Sequence, residues 1–451
     1  MKILSTLAIM LAVSANISSA ASDFHTWAQT PPMGWNSWDC FGTTVTEAQT
    51  KAQADFMAAK LKSHGWQYIV VDIQWYEPSA KGHDYKPDAK LAMDEFSRLV
   101  PAPEKFPSAA GGRGFKSLAD YVHSKGLKFG IHMMRGISRQ AVKRNTPIKG
   151  TTAHAADIAN TQSTCPWNPD MYGVDMSKPG GQAYYDSIMQ LVAGWGVDFV
   201  KIDDLSRPYD AVQKAEIEGI RKAIDKTGRP IVLSTSPGET PLAEAEHVAS
   251  HANMWRISDD FWDDWKALLS QFKRLHDWTP HRIPGAWPDA DMLPIGKVKF
   301  GRPTHFTPDE QITMMTLWCI ARSPLMHGGD MTKTDDFTLS LLTNDEVLTV
   351  NRRSENNRQL FRTDDGLVAW IADVPGSADK YLAVFNIRDA ANDAAKDASV
   401  PVPVKLADAG FTGGVKVRDL WARKDVGTSN AEFAPDVHYH GARFFRLSPM
   451  Q

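Results

Sequence analysis

Cysteine is nearly absent from the chain. Cys40, Cys165 and Cys319 are the only three in 451 residues, widely spaced and odd in number. That argues against both a disulfide framework and a zinc site, so the protein is expected to fold on its core alone. Charge of one sign is also missing. A formal net charge of -3 gives no electrostatic case for nucleic acid or an anionic membrane as partner. The apolar run at the N-terminus, Ile3 to Ala15, is too short to span a bilayer, so no membrane insertion is expected. No G-x-G-x-x-G or G-x-x-x-x-G-K-[ST] follows any strand pattern, and a nucleotide would lack its usual phosphate cradle. No His-x-His pair closes the first strand, and Lys201 is a poor neighbour for a cation. Neither a cofactor nor a catalytic metal is expected.

What is present is ordinary bulk composition with an excess of tryptophan. Hydrophobic residues make up 43% and charged residues 23%, and the length suits a barrel with an accessory domain. Half or more of the 15 Trp are accounted for as core. The surplus suits a site that stacks flat sugar faces on rings. Lys2, the apolar Ile3 to Ala15 and the small residues Ser18-Ser19-Ala20 have the order of an export signal over residues 1–20. A periplasmic or extracellular location is the expectation.

From about residue 30 to 330, short apolar runs alternate with amphipathic segments. Tyr68 to Asp72, Lys128 to His132, Asp198 to Asp203 and Pro230 to Ser234 have the pattern of fully buried parallel strands. Helices are expected over Glu47 to His64, Phe115 to Lys125, Gln182 to Trp195 and Ala211 to Lys226. Repeated units of this length predict an α/β fold, a closed (β/α)8 TIM barrel over residues 21–335. Over 340–451 short alternating strands, such as Tyr381 to Asn386 and Ala442 to Leu447, predict a C-terminal antiparallel β-sandwich, with Asn386 to Ser399 as an exposed loop. The connection from His132 to Gln182 is long for a barrel. Its Trp167 and Tyr172 either line the site or are buried within a folded insertion.

A barrel places its chemistry where strands end. Polar residues end four apolar runs: Asp72; Lys201 with Asp203; Arg256 with Asp260; and Trp287 with Asp289 and Asp291. Paired carboxylates without a metal motif are what glycoside hydrolysis needs, one attacking the anomeric carbon and one protonating the departing oxygen. Lys201 and Asp203 are two apart and face the same side of a strand, so the cation favours an ionised Asp203. Asp260 lies among Asp259, Asp263 and Asp264, and crowding is expected to raise some of their pKa values, as a general acid requires.

Pro31-Pro-Met-Gly-Trp-Asn-Ser-Trp38, Lys201-Ile-Asp203-Asp204, Trp255-Arg256 with Asp260, and Trp287-Pro-Asp-Ala-Asp-Met-Leu293 closely resemble glycoside hydrolase family 27. The resemblance runs from about residue 30 to the end, in order. It implies a barrel with a C-terminal β-domain and a retaining double displacement, with Asp203 at the nucleophile position and Asp260 at the acid/base position. By the same matching Trp38 forms an aromatic wall, and Asp72, Lys201 and Arg256 hydrogen-bond sugar hydroxyls. His132, Ser236, Trp287 and Asp289, at further strand ends, complete the candidate sugar-contacting set. Removal of terminal α-D-galactosyl groups from a carbohydrate is the first expected activity. The family's β-L-arabinopyranosidase, α-N-acetylgalactosaminidase and isomaltodextranase activities are the alternatives, and an inactive carbohydrate-binding barrel is the reading from another class.

Three positions depart from the family's galactosidases. These usually carry two adjacent Asp at the second strand end, reading O4 and O6, where this chain has Asp72-Ile73. A sugar hydroxyl facing Ile73 would go unsatisfied, at roughly 1–3 kcal/mol. His132-Met133-Met134 stands where a Tyr-Ala-Asp run is frequent. Ser236 stands where galactosidases often carry Glu against O2, and the smaller residue leaves room for a 2-acetamido group or another sugar.

Overall fold

The computed structural model describes residues 23–389 and 397–450. The expected export segment and the middle of the Asn386–Ser399 loop fall outside the described residues.

Eight short strands form the barrel: β1 (Met33–Asn36), β2 (Tyr68–Val71), β3 (Lys128–Met134), β4 (Phe199–Asp203), β5 (Val232–Thr235), β6 (Met254–Arg256), β7 (Trp287–Asp289) and β8 (Leu325–His327). They are parallel and in the order β7-β6-β5-β4-β3-β2-β1-β8. The ring closes just beyond β7. Leu293 pairs with His327, the Leu293 amide donating to the Met326 carbonyl at 2.8 Å and the Gly328 amide to the Leu293 carbonyl at 3.0 Å.

Alternation along the strands sorts the side chains into two sets. Ile69, Val71, Ile131, Val200, Ile202 and Leu233 join the large core shared with the outer helices. Tyr68, Val70, Phe199, Val232, Met254, Trp287 and Met326 form a separate apolar plug inside the barrel. Advancing two residues from members of this plug gives Asp72, Lys201, Ser234, Arg256 and Asp289. A layer of apolar side chains therefore carries a layer of polar ones at the C-terminal mouth. The same count puts Trp287 in the plug. It is fully buried, its Nε1 donates to the Ala28 carbonyl at 2.7 Å, and the Arg322 guanidinium lies 4.8 Å from its ring. The expectation that Trp287 contacts sugar is corrected: it lies one layer too deep.

The helices begin and end on identifiable signals. Thr46 and Gln49 form a capping box on Glu47–Phe56, Asp210 caps Ala211–Thr227, and Asp264 caps Trp265–Trp278. Gly228, at φ 71°, supplies the left-handed stop after Thr227. The helix expected over Glu47 to His64 is instead three pieces, an α-helix to Phe56, a π turn over Met57–Leu61 and a 3-10 turn over Lys62–His64.

Two loops rise over the mouth. The expected long connection after β3 holds a three-stranded antiparallel sheet of Ile137–Ser138, Met171–Val174 and Ala159–Thr164. The connection from Val71 to Lys116 is also long, its only helical piece being Pro107–Ala109.

The C-terminal strands begin later than residue 340. Helices Asp336–Leu342 and Asp345–Arg353 pack on the barrel, where Trp66 Nε1 donates to the Leu342 carbonyl at 2.8 Å and Asn351 Nδ2 to the Ser323 carbonyl at 2.8 Å. Val347, Leu348 and Val350 give the second its buried face. The β-domain then comprises β9 (Glu355–Arg362), β10 (Leu367–Asp373), β11 (Lys380–Asn386), β12 (Val415–Asp419), β13 (Lys424–Ser429) and β14 (Ala442–Pro449), in the antiparallel order β9-β10-β11-β14-β12-β13. Leu367, Ala369 and Ile371 face two short strand pairs across a second core, and Val368, Trp370 and Ala372 face the barrel. Phe385 meets Phe272 with ring centroids 5.0 Å apart, and Trp421 Nε1 donates to Thr316 Oγ1 at 2.9 Å. Among the described residues no helix is long and apolar enough to cross a membrane.

The tightest approach in the barrel wall is at Gly34, where an added Cβ would sit 2.6 Å from both the Cβ and the carbonyl oxygen of Tyr68. Gly34→Ala should destabilise the protein by about 1–3 kcal/mol or more through overpacking. The fall in the urea midpoint measures it; an unchanged midpoint would mean β1 and β2 can separate freely.

Candidate active site

The polar layer on the plug is organised by two buried cations. Lys201 Nζ lies 3.1 Å from Asp72 Oδ2 and 3.9 Å from Asp203 Oδ1. Burial alone would lower its pKa, but the charges of Asp203 and Asp72 outweigh that and the ammonium is held above its ordinary value. Asp72 is fixed further by Asn36, whose Nδ2 donates to the same oxygen at 2.8 Å, and by the Ile73 amide, which donates to Oδ1 at 2.9 Å.

Asp203 ends β4 with its carboxylate facing inward. Burial opposes its charge, yet Lys201 and His132 overcome burial and hold it well below the usual carboxylate range. His132 Nε2 is 2.9 Å from Asp203 Oδ2, whereas Oδ1 has no hydrogen-bond partner among the described residues. An ionised carboxylate lining a cavity is chemically able to act as a nucleophile. The next residue, Asp204, has φ 67°, a conformation L side chains rarely adopt. Arg135 holds it there, donating from Nε to the Asp204 carbonyl at 2.7 Å, and is itself paired with the buried Glu216 at 2.8 Å.

Arg256, the second cation, organises the far side. Its Nη2 lies 2.8 Å from Asp291 Oδ2 and 3.4 Å from Asp260 Oδ1. Asp291 also accepts the Phe261 amide at 2.7 Å, and so anchors the backbone next to Asp260. The acidic cluster does not crowd Asp260 as expected. Asp259 pairs with Arg207 at 2.8 Å, Asp263 is held by Arg302 and the His305 amide, and Asp264 caps a helix. Asp263 is in fact shifted down: burial raises it, and Arg302 outweighs burial. The Asp260 side chain remains 53% exposed, placed where it can exchange protons with a leaving group and with water.

Asp203 and Asp260 line one cavity of about 420 Å³ with Trp38, Asp72, Ile73, Tyr85, Trp167 and Lys201. Tyr85 stacks parallel to Trp38 at 6.3 Å and packs against Trp167 at 5.5 Å, so the two long loops meet above the carboxylates. Trp167 thus lines the site. Tyr172 does not: it sits under the Arg139 guanidinium at 4.8 Å, beside a separate outer cavity.

Of the other candidates, His132, Ser236 and Asp289 lie beneath the cavity. Ser236 is fully buried, its Oγ 3.5 Å from Arg256 Nη1, and does not open onto the sugar space. Its neighbour Pro237 does. Tyr85, Asn36 and Arg135 were given no role by sequence reasoning, and Asp291 was marked at a strand end without a place in the sugar-contacting set. Asp291 alone carried a usable signal, as the second acid of Trp287-Pro-Asp-Ala-Asp291.

Asp289 supplies a test of this electrostatic layer. Burial, and then the charge of Asp291, push its carboxyl up to about 7, whereas an unfolded Asp titrates near ~3.9. Between those values the folded protein retains a proton that the unfolded chain releases, so this group makes stability fall as pH rises from about 4 to about 7. Asp289→Asn should remove that slope, gaining on the wild type by a few kcal/mol across the window, on the order of ~1.4 kcal/mol per unit. Parallel curves of the two melting temperatures against pH would refute it.

Comparison with known proteins accords with this arrangement. The family described as Alpha galactosidase A matches residues 30–177 and 170–353, and the Alpha galactosidase C-terminal beta sandwich domain matches 364–447. An alpha-galactosidase of Cyamopsis tetragonoloba is 29% identical over 93% of this chain and 87% of its own length. An alpha-N-acetylgalactosaminidase of Gallus gallus is 30% identical over 88% of each. The crystal structure of a GH27 β-L-arabinopyranosidase from Geobacillus stearothermophilus superposes with TM-score 0.91 at 51% identity, over 94% of this chain and 98% of that one. A variant of that enzyme, in complex with arabinose, superposes equally well. With both domains matched, the chain belongs to glycoside hydrolase family 27, the melibiase family, and is an O-glycosidase.

Proposed function

We propose that this glycosidase releases terminal β-L-arabinopyranosyl groups with retention, Asp203 acting as nucleophile and Asp260 as acid/base. The observation that carries the sugar assignment is Ile73. β-L-Arabinopyranose has the ring configuration of α-D-galactopyranose but lacks the hydroxymethyl group on C5. Asp72 and Lys201 offer a charged pair to ring hydroxyls, which both sugars possess. Ile73 lines the cavity with a buried apolar side chain and nothing to bond O6. A pentopyranose presents no O6, so its fit leaves no polar group unpaired. The 51% identity to a β-L-arabinopyranosidase supports the same choice over the galactosidase reading first drawn from the motifs.

In the mechanism, the Asp203 carboxylate attacks the anomeric carbon while Asp260 gives its proton to the departing oxygen. The lowered pKa of Asp203 keeps it ionised for that attack. Asp260 then takes a proton from water, which hydrolyses the glycosyl-enzyme. The wall of Trp38, Tyr85 and Trp167 excludes bulk water from one side of the sugar.

A panel of aryl glycosides tests the assignment. The β-L-arabinopyranoside should exceed the α-D-galactopyranoside in kcat/KM by about 10- to 100-fold, the worth of one unpaired hydroxyl. Ile73→Asp should narrow or reverse that ratio. Preference for the galactoside by the wild type would overturn the assignment. The first product seen by NMR should carry the anomeric configuration of the substrate. In Asp203→Asn kcat should fall by about 10⁴-fold or more.

A further inference from the structure

We propose that Glu218, His247 and His251 form a zinc site on the outer wall of the barrel, clamping the helix after β4 to the helix after β5. Glu218 lies on Ala211–Thr227; His247 lies on Ala245–Ala249, and His251 follows one turn later. One ligand atom from each of the three lies within 4.8 Å of the other two. Residues four apart share a helical face, and the two imidazoles stack with centroids 4.4 Å apart.

The hydrogen bonds around the rings orient them as ligands. Tyr209 Oη meets His247 Nδ1 at 2.8 Å, and His251 Nδ1 lies 2.7 Å from the His247 carbonyl. With Nδ1 engaged on both rings, Nε2 is the remaining donor, and an outer partner on one ring nitrogen is the usual way a protein fixes the other for metal. His247 Nε2 is buried without a hydrogen bond, and 3.5 Å from Glu218 Oε1. A tetrahedron with bonds near 2.0 Å has edges of about 3.3 Å, so these two atoms already stand at the spacing of neighbouring zinc ligands. Lys214 is occupied by Glu244 at 2.7 Å, and Lys222 Nζ stands 4.0 Å from Glu218 Oε2, the oxygen other than the one facing His247. Two imidazoles and a carboxylate suit zinc, with water completing the coordination from the exposed Glu218 side. The scarcity of cysteine argued against a zinc site, but a set of two His and one Glu needs no thiolate.

None of the three ligands lines the cavity that holds Asp203 and Asp260, so the test is independent of the sugar assignment. The untagged, chelator-treated full chain is titrated calorimetrically with zinc sulfate, and melting is followed with and without the ion. One zinc per chain and a rise of several degrees are expected. His251→Ala and Glu218→Gln should each weaken binding at least about tenfold and abolish the rise, with glycosidase activity unchanged. Cobalt should give a tetrahedral absorption spectrum in the wild type and not in His251→Ala. Absence of binding, or binding equally tight in both variants, would overturn the proposal.

Discussion

The Lys201 ammonium stands at the floor of the cavity between two carboxylates, 3.1 Å from Asp72 and 3.9 Å from Asp203, with only 14% of its side chain exposed. Removing such charges from water costs several kcal/mol per ion, and only close opposite charges offset it. Once Lys201 is placed, Asp203 is forced to stay ionised and Asp72 to stay oriented. A sugar hydroxyl arriving at Asp72 enters a field already set. Arg256 repeats the device on the other side with Asp291 and Asp260. At Asp289 burial and the charge of Asp291 outweigh both cations, and its carboxyl retains a proton toward neutral pH. The mouth is therefore a balanced charge layer rather than an excess of acid.

That layer was legible in the sequence because it follows from a period of two. Asp72, Lys201, Asp203 and Arg256 end apolar runs, and strand geometry alone sends them to one side. Trp287 shows the limit of the same reasoning. It keeps phase with Asp289, so it shares the inward direction, but its height along the barrel puts it in the plug. Phase is written in the sequence; depth depends on the stagger of neighbouring strands, such as Asp289 against Arg256. The acidic run Asp259 to Asp264 misled for a related reason. Three of its members are taken by Arg207, Arg302 and a helix N-terminus, partners that adjacency does not reveal.

Loops were the least legible part. Trp167 and Tyr172 are five residues apart in one insertion, yet only the first lines the cavity. Tyr85, on a loop without periodicity, completes the wall by stacking on Trp38. Supporting residues such as Arg135 were hidden too, since their role is to hold a backbone turn at Asp204 rather than to meet a substrate. The boundary between domains moved from 340 to Glu355 because an amphipathic helix over Asp345–Arg353 packs back onto the barrel.

These parts act on selectivity at different depths. Under the proposed function, the pair of Asp72 and Lys201 meets ring hydroxyls in an arrangement that several related sugars satisfy. Discrimination then falls to a residue at the cavity surface, where one missing hydrogen bond is worth a factor of ten or more. Ile73 occupies that place directly after Asp72, held by the same turn through its amide to Oδ1. Substrate choice can therefore change at Ile73 without disturbing the charges that drive bond cleavage. Ser236, although chemically a change at the O2 position, is fully buried and acts only through its neighbours: it touches Arg256 and Asp203 from beneath the cavity. Two departures that look alike in sequence thus differ in consequence, because one faces the cavity and the other lies beneath its floor.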